Sequence, residues 1–199
     1  MTRRLIAGLT RLATGVRRLD APPQGEGPAI YYANHGSHLD FVVIWAALPT
    51  VARERTSPAA AEDYWGRSPL RRRIACGLFQ SVLIPREGIT RDNNPLDRLG
   101  EVLERGRSLI LFPEGTRRCD GQVGEFKAGL YHLARRFPGL PLVPVHLENL
   151  NRILPKGTLL PVPLIAQAHF RPPICLQEDE PKPDFLRRAR AALIDEPAA

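Results

Sequence analysis

Short apolar runs, each closed abruptly by a polar motif, constrain this chain more than any other feature. Residues 29–33 run into Asn34-His35-Gly36-Ser37-His38-Leu39-Asp40, residues 81–84 into Pro85-Arg86, and residues 108–112 into Pro113-Glu114-Gly115-Thr116-Arg117. Residues 56–60, 142–147 and 164–170 read as three further strands. The stretches between them carry helical periodicity: about 39–48, 62–79 with interruptions at Gly66 and Pro69, 95–105, 126–137 and 185–193. Short runs that are apolar throughout are strands buried on both faces, which places helices on both sides of a sheet. Strands alternating with helices predict a single α/β domain with a largely parallel, mixed sheet flanked by helices. In such folds the motifs that follow strands collect at one edge of the sheet. Pro144, inside the run 142–147, predicts an edge strand or a bulge.

The 199 residues divide into an N-terminal segment, 1–20, and a domain, 21–199. Leu5, Leu9, Leu12, Val16 and Leu19 recur at helical spacing among Arg3, Arg4, Arg11, Arg17 and Arg18, predicting an amphipathic helix. Such a helix either lies in a membrane interface or packs its leucine stripe on the core. Residues 21–28 are rich in proline and glycine and read as a linker. No apolar run approaches the roughly twenty residues that span a bilayer. Arg11 interrupts the N-terminal apolar pattern and no small-residue cleavage site follows, so a signal peptide is not expected.

The net charge of +7 is carried almost entirely by arginine. It suits nucleic acid, an anionic membrane surface or phosphorylated small molecules. The basic stretches lack interleaved aromatics and no nucleic-acid motif is present, so nucleic acid is set aside. Leu70-Arg71-Arg72-Arg73 reads as solvated or interfacial. Cys76, Cys119 and Cys175 are odd in number and unpaired in spacing, which argues for a reducing compartment.

His35 and Asp40 stand in a polar gap between two apolar runs. Histidine titrates near neutrality, and a carboxylate fixes its tautomer and stabilises the imidazolium, so the pair is suited to taking a proton from a hydroxyl. A second reading makes Ser37 an N-cap and Asp40 the reciprocal acid of a capping box. Both hold together if the other oxygen of Asp40 engages His35. Arg86 and Arg117, delivered at strand ends, suit an anionic group, with Glu114 binding a hydroxyl or orienting the arginine. His35, His38 and Asp40 lack a metal-ligand spacing and His132, His146 and His169 are scattered, so no metal is expected. A Ser37–His35 esterase would need a G-x-S-x-G elbow, which is missing.

Taken together, these segments resemble the glycerolipid acyltransferase family, of the 1-acyl-glycerol-3-phosphate acyltransferase type. Asn34-His35 through Asp40 is similar to the family's N-H-x4-D block, and residues 77–86 to its second block, which ends in arginine. Phe112-Pro113-Glu114-Gly115-Thr116-Arg117 is similar to the third block, Phe126-Lys127-Ala128-Gly129 to the F-K-x-G that follows, and Val143-Pro144-Val145 to the fourth.

The resemblance implies the glycerol-3-phosphate acyltransferase-like fold. It also implies acyl transfer from acyl-CoA or acyl carrier protein to the free hydroxyl of a lysophospholipid, in phospholipid biosynthesis. His35 would be the general base and Asp40 its orienting partner. Arg86, Glu114, Gly115, Thr116, Arg117 and Lys127 would bind substrate, with no metal and no cofactor beyond the donor. The protein would then sit in the cytoplasm, peripherally on the inner face of an anionic membrane. Two departures, Pro85 in the second block and Arg118 after the third, leave glycerol 3-phosphate and amino-acid-based lyso-lipids open as acceptors. A rival class is a basic lipid-binding module without catalysis, against which the His35–Asp40 pair argues.

Overall fold

The structure, a computed structural model, describes residues 2–19, 27–37, 39–90, 93–118, 120–148 and 166–194. Among the described residues the strands are β1 (Arg17–Leu19), β2 (Ile30–Ala33), β3 (Thr56–Ala61), β4 (Val82–Ile84), β5 (Ser108–Leu111), β6 (Leu142–Glu148) and β7 (Gln167–Phe170). They form one sheet in the order β1-β7-β6-β2-β5-β3-β4. Every neighbouring pair is parallel except β6 and β7. β2, β3, β4, β5 and β6 therefore end at the same edge, and the polar motifs after β2, β4 and β5 meet there.

Every residue of β2 and β5 is buried, as their unbroken apolar sequences predict. Tyr31, Ala33 and Ile110 face one core with α1 (Thr2–Thr14) and α2 (Asp40–Ala47). Ile30, Tyr32, Leu109 and Leu111 face the other, against α6 (Pro95–Glu104), α7 (Gly129–Arg136) and α8 (Lys182–Ile194). α2 is apolar on nearly every side because it lies between the sheet and α1. Trp45 of α2 is fully buried, with Arg3 of α1 and Arg53 of α3 (Thr50–Glu54) over its ring. α6 begins with Asn94, whose side chain accepts from Leu96 N at 3.0 Å, followed by Pro95 in the first turn.

Several expectations change. The N-terminal segment is not one helix: α1 ends at Thr14, Gly15 takes φ +56°, and Arg17–Leu19 join the sheet as β1. Ala7 and Thr14 face the core while Leu5, Leu9 and Leu12 stay exposed, at 63, 55 and 83%. The leucines thus point away from the protein. The helix expected from residue 126 starts at Gly129, because Lys127 N bonds Pro113 O at 2.8 Å and keeps the preceding residues as a loop.

Pro144 is on an interior strand, not an edge. Val145 faces Phe170 and Leu142 faces Ile174, so three steps on β6 meet four on the facing chain. Pro144 lies opposite this bulge, just past the end of β7, where its missing N–H interrupts no ladder. The expected helix 62–79 is broken into α4 (Glu62–Trp65), α5 (Pro69–Arg72) and a π-helical turn (Arg73–Leu78), with Leu70 to Arg73 exposed. Cys119, His38, most of the linker and the first two residues of the strand expected at 164–170 lie outside the described residues. Cys76 and Cys175 are free thiols.

Tyr32 of β2 ties α8 to the sheet by donating its phenol hydrogen to Ala189 O at 2.9 Å. Burial pushes its pKa upward, so the donor persists at any physiological pH. Tyr32→Phe should lower stability by about 1 kcal/mol in chemical denaturation, the usual net value of a buried hydrogen bond. An unchanged midpoint would show that the bond contributes nothing to holding α8.

Candidate functional site

Asp40 is the first residue of α2 and is 1% exposed. Its Oδ2 accepts from His35 Nδ1 at 2.8 Å, Gly36 N at 2.7 Å and Ser37 N at 2.9 Å. The contact to His35 and the bond to Ser37 N expected of a capping box are both present on one oxygen, but the box sits in the loop before α2, which has no side-chain cap of its own. Oδ1 is buried with no hydrogen-bond partner among the described residues. Ser37 Oγ accepts from Leu39 N at 3.2 Å, so Ser37 supports the turn from outside the helix instead of capping it. With Asp40 as acceptor, His35 Nδ1 carries the proton, and Nε2 is left as the acceptor of the neutral ring. The ring is partly exposed and stacks on Phe112, centroids 4.3 Å apart.

The backbone of His35 is fixed separately. Its N–H donates to Glu114 Oε1 at 2.9 Å, and its carbonyl accepts from Arg118 N at 2.9 Å. Glu114 Oε2 accepts from Gly124 N at 2.9 Å. Glu114 is buried, and its two oxygens tie the loop after β2 to the loop between β5 and α7, where the sequence led us to expect a hydroxyl ligand or a partner for arginine. Asn34 pairs with Leu147, accepting from its N at 2.8 Å and donating to its O at 2.9 Å, which locks the end of β2 to β6. The sequence places Asn34 beside His35 without revealing this, because backbone donors have no signature in a sequence.

Three cavities meet at His35. One of about 400 Å³ is lined by Leu111, by Leu96 and Leu99 of α6, and by Leu130 and Leu133 of α7, with Arg86 and Lys127 also on its wall. A small one is bounded by Tyr64, Trp65, Arg86, Phe112 and Arg117. A polar one of about 260 Å³ includes Asn34, Asp40, Arg118, His146 and Glu148. Arg86 and Arg117 are thus brought together beside His35, as expected. Arg86 is also held by Asp63 of α4, through Nε at 3.0 Å and through Nη2; no motif singled out Asp63. Gly115 has φ +71°, and a Cβ there would stand 2.8 Å from Lys127 Nζ, so glycine admits both the turn and the lysine. Thr116 is exposed at the rim. Among the described residues, no three His, Cys, Asp or Glu side chains are placed to hold a metal.

A histidine–carboxylate pair thus stands between an apolar cavity and two arginines at one edge of an α/β sheet. The Acyltransferase family model matches residues 11–148, and the chain belongs to the glycerolipid acyltransferase family. A 1-acyl-sn-glycerol-3-phosphate acyltransferase of Limnanthes alba is 35% identical over 149 residues, covering 73% of this chain and 50% of that protein. A chloroplastic enzyme of the same name from Brassica napus is 28% identical over 159 residues, covering 73% and 40%. The chain thus spans two fifths to half the length of these relatives. The crystal structure of the 1-acyl-sn-glycerophosphate acyltransferase of Thermotoga maritima shares the fold, with a TM-score of 0.78 at 20% identity over 96% of this chain and 75% of that one.

The clamp is testable without substrate. Glu114→Gln turns an amide NH2 toward one of two backbone donors, and a buried donor left unpaired costs about 1–3 kcal/mol. Stability should fall by that order, and the amide resonances of both His35 and Gly124 should shift. Unchanged stability and resonances would return Glu114 to the role of a ligand.

Proposed function

We propose that this protein transfers a fatty acyl group from an acyl-CoA or acyl carrier protein thioester to the free hydroxyl of a lysophospholipid, 1-acyl-glycerol 3-phosphate or a close analogue, in phospholipid biosynthesis. The carrying observation is the His35 Nδ1–Asp40 Oδ2 contact of 2.8 Å at the junction of an apolar cavity and an arginine-lined one. Family membership and the names of the relatives support the same reading.

In this mechanism the acceptor hydroxyl donates to His35 Nε2. As its oxygen attacks the thioester carbonyl, the proton moves to Nε2, and buried Asp40 stabilises the imidazolium. The tetrahedral intermediate expels the thiolate, which takes the proton back from Nε2. One ester C–O bond forms, one C–S bond breaks, and no group on the protein is acylated. Arg117 and Arg86 bind the acceptor phosphate, which holds the hydroxyl in line with Nε2. The cavity between α6 and α7 takes an acyl chain, and Lys127 stands on its wall as a further cation.

His35→Ala should reduce turnover by about 10²–10⁴-fold, the usual contribution of a general base, with unchanged circular dichroism. Asp40→Asn retains an oxygen for the Gly36 and Ser37 amides but loses the charge, and should lower kcat by at least about tenfold. Products are read by mass spectrometry over a panel of lyso-lipids with both donor types. Full turnover in either variant overturns the mechanism, and release of no free thiol from any pair overturns the activity.

The acceptor resides in lipid, and no helix among the described residues is long and apolar enough to cross a membrane. In this reading contact is made peripherally, on the inner face of the membrane, by the exposed leucines of α1 with Arg4 beside them, while Arg11 is turned inward and donates to Ala46 O at 2.7 Å. Truncating the chain here would remove β1 and uncover α2, so point variants are the sound test. Leu5→Ser, Leu9→Ser and Leu12→Ser combined should weaken co-sedimentation with anionic vesicles and leave the melting temperature unchanged. Wild-type binding should fall with added salt, since exposed charges are screened over about 8 Å at physiological ionic strength. Full sedimentation of the triple variant would place the contact elsewhere.

A further inference from the structure

Arg86 leaves the end of β4 with its guanidinium fork closed on a carboxylate. Asp63, in the first turn of α4, engages both Nε and Nη2. Both side chains are about half exposed, and Arg86 is on the wall of the cavity that His35 and Arg117 share. The hydrogen bond to Arg86 holds the Asp63 carboxyl below the usual carboxylate range, and the same bond raises the arginine. The fork that a phosphate would grip is thus already filled by a group of like geometry and like charge.

We propose that Asp63 is an exchangeable counter-ion: the acceptor's phosphate displaces it from Arg86, and it returns when the product leaves, so Asp63 sets how tightly the site holds phosphate-bearing lipids. Only the identity of the acceptor rests on the acyltransferase reading; the exchange applies to any phosphate monoester.

Three observations carry the inference. Carboxylate and phosphate both take a guanidinium through two parallel N–H···O bonds, so they compete for the same donors. The pair is solvent-exposed, and such pairs shift an equilibrium by no more than about fivefold, so a dianion is able to displace it. The chain at Asp63 is also anchored beside Arg86. Its neighbour Glu62 accepts from Arg98 at 3.1 Å, and Arg98 in turn donates to Leu83 O on β4 at 2.9 Å. A displaced Asp63 therefore remains beside the phosphate and repels it. This opposes the tighter hold that a second acyl chain gives the product, which carries the same phosphate as the acceptor.

Asp63→Asn keeps the shape and removes the charge. Its acceptor KM should fall by about two- to fivefold, with the donor KM unchanged and product inhibition strengthened by a similar factor. Asp63→Glu, which keeps the charge, should stay within about twofold of wild type. Inorganic phosphate, titrated against the Arg86 Nε–H resonance, should bind the asparagine variant more tightly. A rise in acceptor KM, or weaker phosphate binding, would overturn the exchange and make Asp63 a positioning residue for Arg86. No change in either would reduce the pair to surface decoration. If wild type turns over no lysophospholipid, the acyltransferase reading fails, and the phosphate titration still decides the exchange.

Discussion

Asp40 Oδ2 accepts from His35 Nδ1 and from the amides of Gly36 and Ser37, and the rest of the site is arranged around that junction. A buried carboxylate is strongly unfavourable unless donors replace its water. Three short bonds supply them, and the start of α2 adds the favourable end of a helix dipole. The loop after β2 is drawn tightly round one oxygen, which leaves the imidazole little choice of position or tautomer. The same bonds fold the loop and orient the ring, so the two effects are not separable at this residue.

Glu114 does for the backbone what Asp40 does for the ring. Reaching from the loop after β5 to His35 N and Gly124 N, it sets the depth of the histidine in the cleft. Arg118 N on His35 O and Lys127 N on Pro113 O complete the stitching. The two carboxylates bring together segments from three regions of the chain. That convergence is possible because β2 and β5 are adjacent and parallel, so both loops emerge at one edge.

The fold was legible where both faces of an element are buried. β2 and β5 follow directly from apolar runs, and α6 from the helical spacing of its apolar residues. The N-terminal stripe was misassigned as one helix, because Val16 and Leu19 continue the leucine period after Gly15 has turned the backbone into β1. Of the two readings of Pro144 the bulge holds and the edge does not, and the sequence cannot show that the bulge belongs to the facing chain. Within the site, His35, Asp40, Arg86 and Arg117 were readable as side chains at strand ends. The clamp role of Glu114 was not, since its partners are backbone amides. Nor was Asp63, which meets Arg86 only because β3 and β4 run parallel and bring α4 beside the end of β4.

α2 has almost no solvent face. Its first residue grips the histidine, and its middle holds Trp45 between Arg3, Arg53 and Phe79. Such a rod cannot rotate or slide without disturbing close-packed neighbours on every side. The histidine is thereby held from a closely packed beam, and any give in the cleft is left to the loops. Sequence drift in the interior around α2 becomes a change in the aim of an imidazole, so these buried positions answer to two selective pressures at once.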